Sequence, residues 1–156
     1  MDKKKLKIIA FIPAKKNSQD LRNKNLKRLD NLSLFELAIL GAKKSKFINK
    51  VYLSSDSDKI LKEGKKYNID LIKRKKSLST SSTSANLLLS DFIKNCLVNE
   101  KDDTIIVYLQ PTSPFRNSKH IDDSIDLFIK KKFRILLSVT ENKSFYKSFK
   151  KNKGFL

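Results

Sequence analysis

The sequence predicts an α/β fold, a doubly wound and mostly parallel sheet with helices on both faces. Two observations carry the prediction: short apolar runs recur as strands, and amphipathic segments at helical spacing separate them. Parallel neighbours need a crossover, and chain handedness makes each crossover right-handed.

Leu6 to Ile12 is a nearly unbroken β-branched and aromatic run closed by Pro13, the pattern of a strand buried on both faces. Ser33 then caps a helix in which Leu34, Leu37, Ala38, Leu40 and Ala42 recur at helical spacing, ending on the basic pair Lys43-Lys44. Lys50 to Ser54 gives the second strand. Ser57 caps a helix through Ile60, Leu61 and Tyr67 that Gly64 weakens, and Asp70 to Lys73 makes a short third strand. Lys75 to Ser84 is rich in Ser and Thr without periodicity, which predicts a surface loop. Leu87, Leu88, Leu89, Phe92, Ile93 and Cys96 mark the next helix, and Thr104 to Leu109 the fourth strand. Ser118 caps a helix using Ile121, Ile125, Leu127, Phe128 and Ile129, and Arg134 to Val139 predicts a fifth strand. The tail from Thr140 shows no period.

A chain of 156 residues suits one compact domain, 1–156. No run of about eighteen apolar residues exists. The charged start Met1-Asp2-Lys3-Lys4-Lys5 leads only a short apolar stretch, so neither a membrane span nor a signal peptide is expected and the cytoplasm is the expected compartment. The single cysteine, Cys96, sits in a helical apolar pattern and reads as core. The net charge of +19 suggests polyanionic partners. Only Arg22, Arg28, Arg74, Arg116 and Arg134 are arginines, however, and the lysines are scattered through nearly every segment. Specific nucleic-acid readers concentrate Arg forks and exposed aromatics, so the charge argues against that class while leaving a general pull on nucleoside triphosphates.

In such a sheet, ligands bind beyond the carboxyl ends of the strands. After the first strand, Pro13 to Asn25 is a long loop dense in cations and backbone donors, suited to phosphates although it lacks P-loop glycines. An exposed basic connection fits the same residues. After the second, Ser54-Ser55-Asp56-Ser57-Asp58 serves helix capping, while Asp56 at the strand tip also suits ribose hydroxyls or a metal. After the fourth, Gln110-Pro111-Thr112-Ser113-Pro114-Phe115-Arg116 holds an amide, two hydroxyls and an arginine on a loop stiffened by prolines. Gln110, Thr112 and Ser113 are then preorganised polar contacts, and Arg116 can grip a carboxylate or phosphate. His120 and the pair Asp122 and Asp123 fall in the first turn of the following helix, where capping and the helix dipole account for them; the two aspartates are weak metal candidates.

Ile12-Pro13-Ala14-Lys15 with Ser18, Lys24-Asn25, Ser55-Asp56-Ser57, Arg74 and the segment Gln110 to Arg116 together resemble the acylneuraminate cytidylyltransferase family, enzymes of the CMP-N-acetylneuraminic acid synthetase type. The resemblance runs from about Lys7 to Val139 and implies a Rossmann-like fold of the nucleotide-diphospho-sugar transferase type. It also implies transfer of CMP from CTP to a sialic-acid-like nonulosonic acid, with pyrophosphate released and Mg²⁺ assisting. Ala14, Lys15, Ser18, Lys24, Asn25 and Arg74 are then expected around the nucleotide, and Gln110, Thr112 and Ser113 toward the sugar acid, with Arg116 beside them. Lys24, Asp56 and Gln110 carry the implied catalytic roles.

Departures accompany the matches. The family usually has Arg at the position of Lys15, Lys at Gln19, Gly at Asp20 and Asp at Ser81. Each lost charge-assisted bond is worth about 1.5–3 kcal/mol. The resemblance also leaves the metal ligands and the dimerisation segment beyond Leu156, so the carboxyl-terminal third of the usual domain is expected to be absent and a homodimer weakened. An alternative reading keeps the fold without turnover, as a truncated, impaired homologue that binds nucleotide or a partner chain.

Overall fold

The structure is a computed structural model that describes residues 6–17, 21–98 and 104–139. Strand β1 (Lys7–Pro13) is followed by two short strands, β2 (Arg28–Leu29) and β3 (Leu32–Ser33), and by helix α1 (Leu34–Lys43). Then come β4 (Lys50–Ser55), α2 (Asp58–Gly64), β5 (Asp70–Lys73), α3 (Ala85–Cys96), β6 (Thr104–Tyr108) and α4 (Ser118–Lys131). The central sheet has the order β5-β4-β1-β6 and every pair in it is parallel. The small β2–β3 hairpin is separate, antiparallel, and turns through Asp30 in the left-handed region. It is too short to leave any periodicity, so the sequence shows only loop there.

β1 is central because both its faces are apolar. Ile8, Ala10 and Ile12 pack with Phe35 and Ile39 of α1, Ile60 of α2, and Ile121 and Ile125 of α4. Ile9 and Phe11 point the other way, onto Leu88 and Phe92 of α3 and Tyr52 of β4. Alternating side chains of one strand thus feed two cores, which is why the run reads as continuously hydrophobic. Phe11, Phe92 and Tyr52 interlock, with ring centroids 4.6 Å apart for Phe11–Phe92 and 5.0 Å for Tyr52–Phe92.

The helix starts follow their caps. Ser57 Oγ accepts from Ile60 N at 3.4 Å, and Ser84 Oγ from Leu87 N at 3.2 Å. At α1, Glu36 Oε2 accepts from both Ser33 N and Ser33 Oγ at 2.8 Å. α2 stops at Gly64 and a 3₁₀ turn carries the chain on to Tyr67.

Two expectations are corrected. The cap of α4 is Asn117, whose Oδ1 accepts from His120 N at 3.0 Å, while Ser118 is already inside the first turn. Asn and Ser cap equally well, so sequence alone leaves that register open by one residue. Arg134 to Val139 forms no strand. Lys132 in the left-handed region closes α4, and Ile135, Leu137 and Val139 are 70%, 72% and 78% exposed. A period-two apolar run becomes a strand only when a neighbour takes its backbone hydrogen bonds, and no described sheet edge does so.

Candidate functional site

The loops after β1, β4 and β6 meet at the carboxyl rim of the sheet. Ala14 N donates to Ser54 O at 2.9 Å, prolonging the β1–β4 ladder, and Ser55 Oγ donates back to Ala14 O at 2.6 Å. Beyond that point Lys16 N donates to Asp56 Oδ1 at 2.7 Å, and Asn25 Nδ2 to Lys15 O at 2.8 Å. On the other side of β1, Leu109 N donates to Phe11 O at 2.9 Å, which sets the start of the Gln110 loop beside the Pro13 loop.

A cleft of about 230 Å³ opens there. Pro13, Lys15, Lys24 and Asn25 line it from the β1 loop, Gln110, Pro111 and Thr112 from the β6 loop, and Arg74, Leu78, Thr80, Thr83, Leu88 and Tyr108 close the remaining sides. Arg74 is 6% exposed. Its Nη2 donates to Ser54 O at 2.8 Å and its Nε to Ser54 Oγ at 3.2 Å, so the end of β4 holds a buried cation in place. Burial pulls the guanidinium below its ordinary value, and the Asp56 carboxylate opposes that shift. Burial also pushes the Tyr108 phenol up, and the Arg74 charge draws it back. A groove of about 270 Å³ lies at the opposite rim, beside Lys50 and Asp70, which pair with each other at 3.2 Å. Parallel sheets bind ligands at the carboxyl rim, so the smaller cleft is the candidate site.

The structure gathers Lys15, Lys24, Asn25, Arg74, Gln110 and Thr112 around this one cleft. Ala14 is fully buried just behind the lining. Asp56 lies at the rim, turned onto the Lys16 amide. Arg116 turns back from the cleft: its Nη2 donates to Gln110 O at 3.0 Å, and burial lowers its pKa. Ser113 is exposed and its carbonyl accepts from Arg116 N at 3.2 Å. Ser18, with Gln19 and Asp20, lies outside the described residues. Ser81 is exposed, while its neighbours Thr80 and Thr83 line the cleft and share a 2.8 Å hydroxyl contact. Sequence reasoning passed over Tyr108, Leu78 and Leu88. The available signal was pleat alternation, which puts Tyr108 on the same face of the strand end as Gln110.

The polar residues at the start of α4 have structural partners. His120 Nδ1 accepts from Asn117 N at 3.3 Å, Asp123 pairs with Lys119 at 2.6 Å, and Asp122 Oδ1 accepts from Ser45 Oγ at 2.5 Å. Asp122 therefore ties α4 to the loop after α1, a long-range contact that the dipole argument did not foresee. Among the described residues no cluster of three His, Cys, Asp or Glu is assembled for a metal ion. Of the described carboxylates at the rim, Asp56 already accepts a backbone hydrogen bond and Asp58 pairs with Lys73. These side chains do not form a cage for a hard divalent cation, which prefers several oxygen ligands. Among the described residues no helix is long and apolar enough to cross a membrane.

Sheet order and cleft position place the chain in the Rossmann-like α/β class. A solved CMP:2-keto-3-deoxy-manno-octonic acid synthetase complexed with CTP shares the fold, with TM-score 0.66 and 16% identity over 81% of this chain and 48% of that one. A cytidylyltransferase from Leptospira borgpetersenii serovar Hardjo-bovis matches with TM-score 0.64 and 25% identity, over 84% of this chain and 52% of that one. Residues 9–154 match the cytidylyltransferase family, and the chain belongs to it. It is 36% identical to the N-acylneuraminate cytidylyltransferase of Escherichia coli O18:K1:H7 over 87% of this chain, and 30% identical to that of Streptococcus agalactiae serotype V over 79%. The chain spans about a third of the length of these relatives, 32% and 29%.

Proposed function

We propose that the chain serves transfer of CMP from CTP to a sialic-acid-like nonulosonic acid. One observation carries this reading: Lys15, Lys24 and Asn25 face Gln110 and Thr112 across a single rim cleft that also holds the buried Arg74. In the reaction the anomeric oxygen bonds to the α-phosphorus of CTP, and the bridging oxygen leaves with pyrophosphate. Positioning and charge neutralisation supply most of the acceleration in such phosphoryl chemistry. Lys15 and Lys24 are suited to neutralise phosphate oxygens, and Arg74 to donate to the nucleotide. Gln110 and Thr112 offer an amide and a hydroxyl to the sugar acid. Asp56 and Arg116 act one step back, bracing the Lys16 amide and the Gln110 carbonyl. The names of the Escherichia coli and Streptococcus agalactiae relatives support the choice of acceptor.

The test is pyrophosphate release from CTP and Mg²⁺ with a panel of nonulosonic acids, together with calorimetric titration of CTP. Gln110→Ala should impair sugar use far more than CTP binding. Equal loss of both would contradict the assignment of that loop. CTP binding without turnover on any acid would leave a nucleotide-binding chain that does not catalyse.

A further inference from the structure

The cleft has two chemically different sides. Lys15, Lys24 and Asn25 make one side cationic and polar, whereas Leu78, Leu88 and Tyr108 belong to the apolar cluster beneath α3. Tyr108 ends β6 at one edge of the sheet, and Arg74 follows β5 at the other, with β4 and β1 between them. Both nevertheless line the same cleft, and the Arg74 charge reaches the Tyr108 phenol. The Tyr108 ring is held in place against Phe11 at a centroid distance of 5.9 Å, and Phe11 in turn packs against Phe92 in a tilted arrangement. Among the described residues no hydrogen bond occupies the Tyr108 hydroxyl. A rigid aromatic wall ending in an unused hydroxyl, beside a buried guanidinium, matches a planar heterocycle that is apolar on its face and polar on its edge.

Resting on the CTP reading above, we propose that Tyr108 contacts the nucleobase, its ring packing against the base and its hydroxyl hydrogen-bonding the polar edge. The phosphates would then lie toward Lys15 and Lys24. Tyr108→Phe keeps the ring, and with it the packing on Phe11, and removes only the hydroxyl.

The experiment titrates the full chain and the Y108F variant with CTP, with cytidine and with inorganic tripolyphosphate, and records the thermal midpoint of each protein. The expected result is a loss of about three- to tenfold in affinity for CTP, the factor that one neutral hydrogen bond supplies. Cytidine affinity should fall by the same factor, with tripolyphosphate affinity and the midpoint unchanged. Unaltered CTP affinity in Y108F, or a parallel loss for tripolyphosphate, overturns the assignment while leaving the CTP reading intact. If the wild-type chain binds tripolyphosphate but not CTP, the functional reading fails and takes the Tyr108 contact with it.

Discussion

Replacing Glu36 by Gln tests how the first crossover is held together. Glu36 is 2% exposed and accepts from Ser33 N and Oγ at 2.8 Å, from Tyr67 Oη at 2.7 Å and from Lys66 Nζ at 2.5 Å. Burial by itself would raise its pKa. The hydrogen bonds from Lys66, Ser33 and Tyr67 outweigh burial and bring the group from 4.5 to about 2. A shift of that size corresponds to about 3 kcal/mol at most. Lys66 is 57% exposed, so solvent screens its share and about 2 kcal/mol is the expected contribution. The folded pKa lies below the unfolded one, so this stability is fully present above about pH 4.5 and drains away as pH falls through about 2. Urea unfolding of both proteins followed by circular dichroism, at about pH 7, 5 and 3, reads the difference. Glu36→Gln should cost about 2 kcal/mol at neutral pH, with the gap narrowing in acid and the m-value constant. A gap that does not change with pH, or no loss at pH 7, would refute the charge-based account.

Two other substitutions probe the fold and the cleft. An alanine Cβ at position 64 would stand 2.6 Å from Leu53 Cδ2 and 3.2 Å from Leu71 Cδ2. Gly64→Ala should therefore destabilise by about 1–2 kcal/mol despite better helix propensity, and a raised melting temperature would count against this packing. Arg74→Lys keeps the charge but loses the fork that binds Ser54 O and Oγ. It should lower stability by about 1–2 kcal/mol and weaken CTP binding in the same calorimetric assay. Undiminished affinity would remove Arg74 from the proposed nucleotide site.

Much of the fold is legible in the sequence because it is locally encoded. The Leu6 to Ile12 run announces a doubly buried strand, and Ser33 and Ser57 announce helix starts through side chains that act within three residues. Arg134 to Val139 carries a strand pattern as well, yet pairing is a non-local decision and no described neighbour makes it. Asn117 took the cap from Ser118 for a related reason, since either side chain suits the position and only the packed helix sets the register. Within the site, Lys15, Arg74 and Gln110 stand out in the sequence as polar residues just beyond strand ends, and Asn25 as one in the long loop after the first strand. Tertiary structure alone settled which of them share a cleft. It brought Arg74 and Tyr108 together from opposite edges of the sheet, turned Asp56 onto Lys16 and Arg116 onto Gln110, and joined Asp122 to Ser45. Those contacts depend on strand order and side-chain direction, both products of burying two faces of β1 at once. Residue identity determines what each group can do, and the packing of α1, α2 and α4 on one face against α3 on the other determines what it can reach.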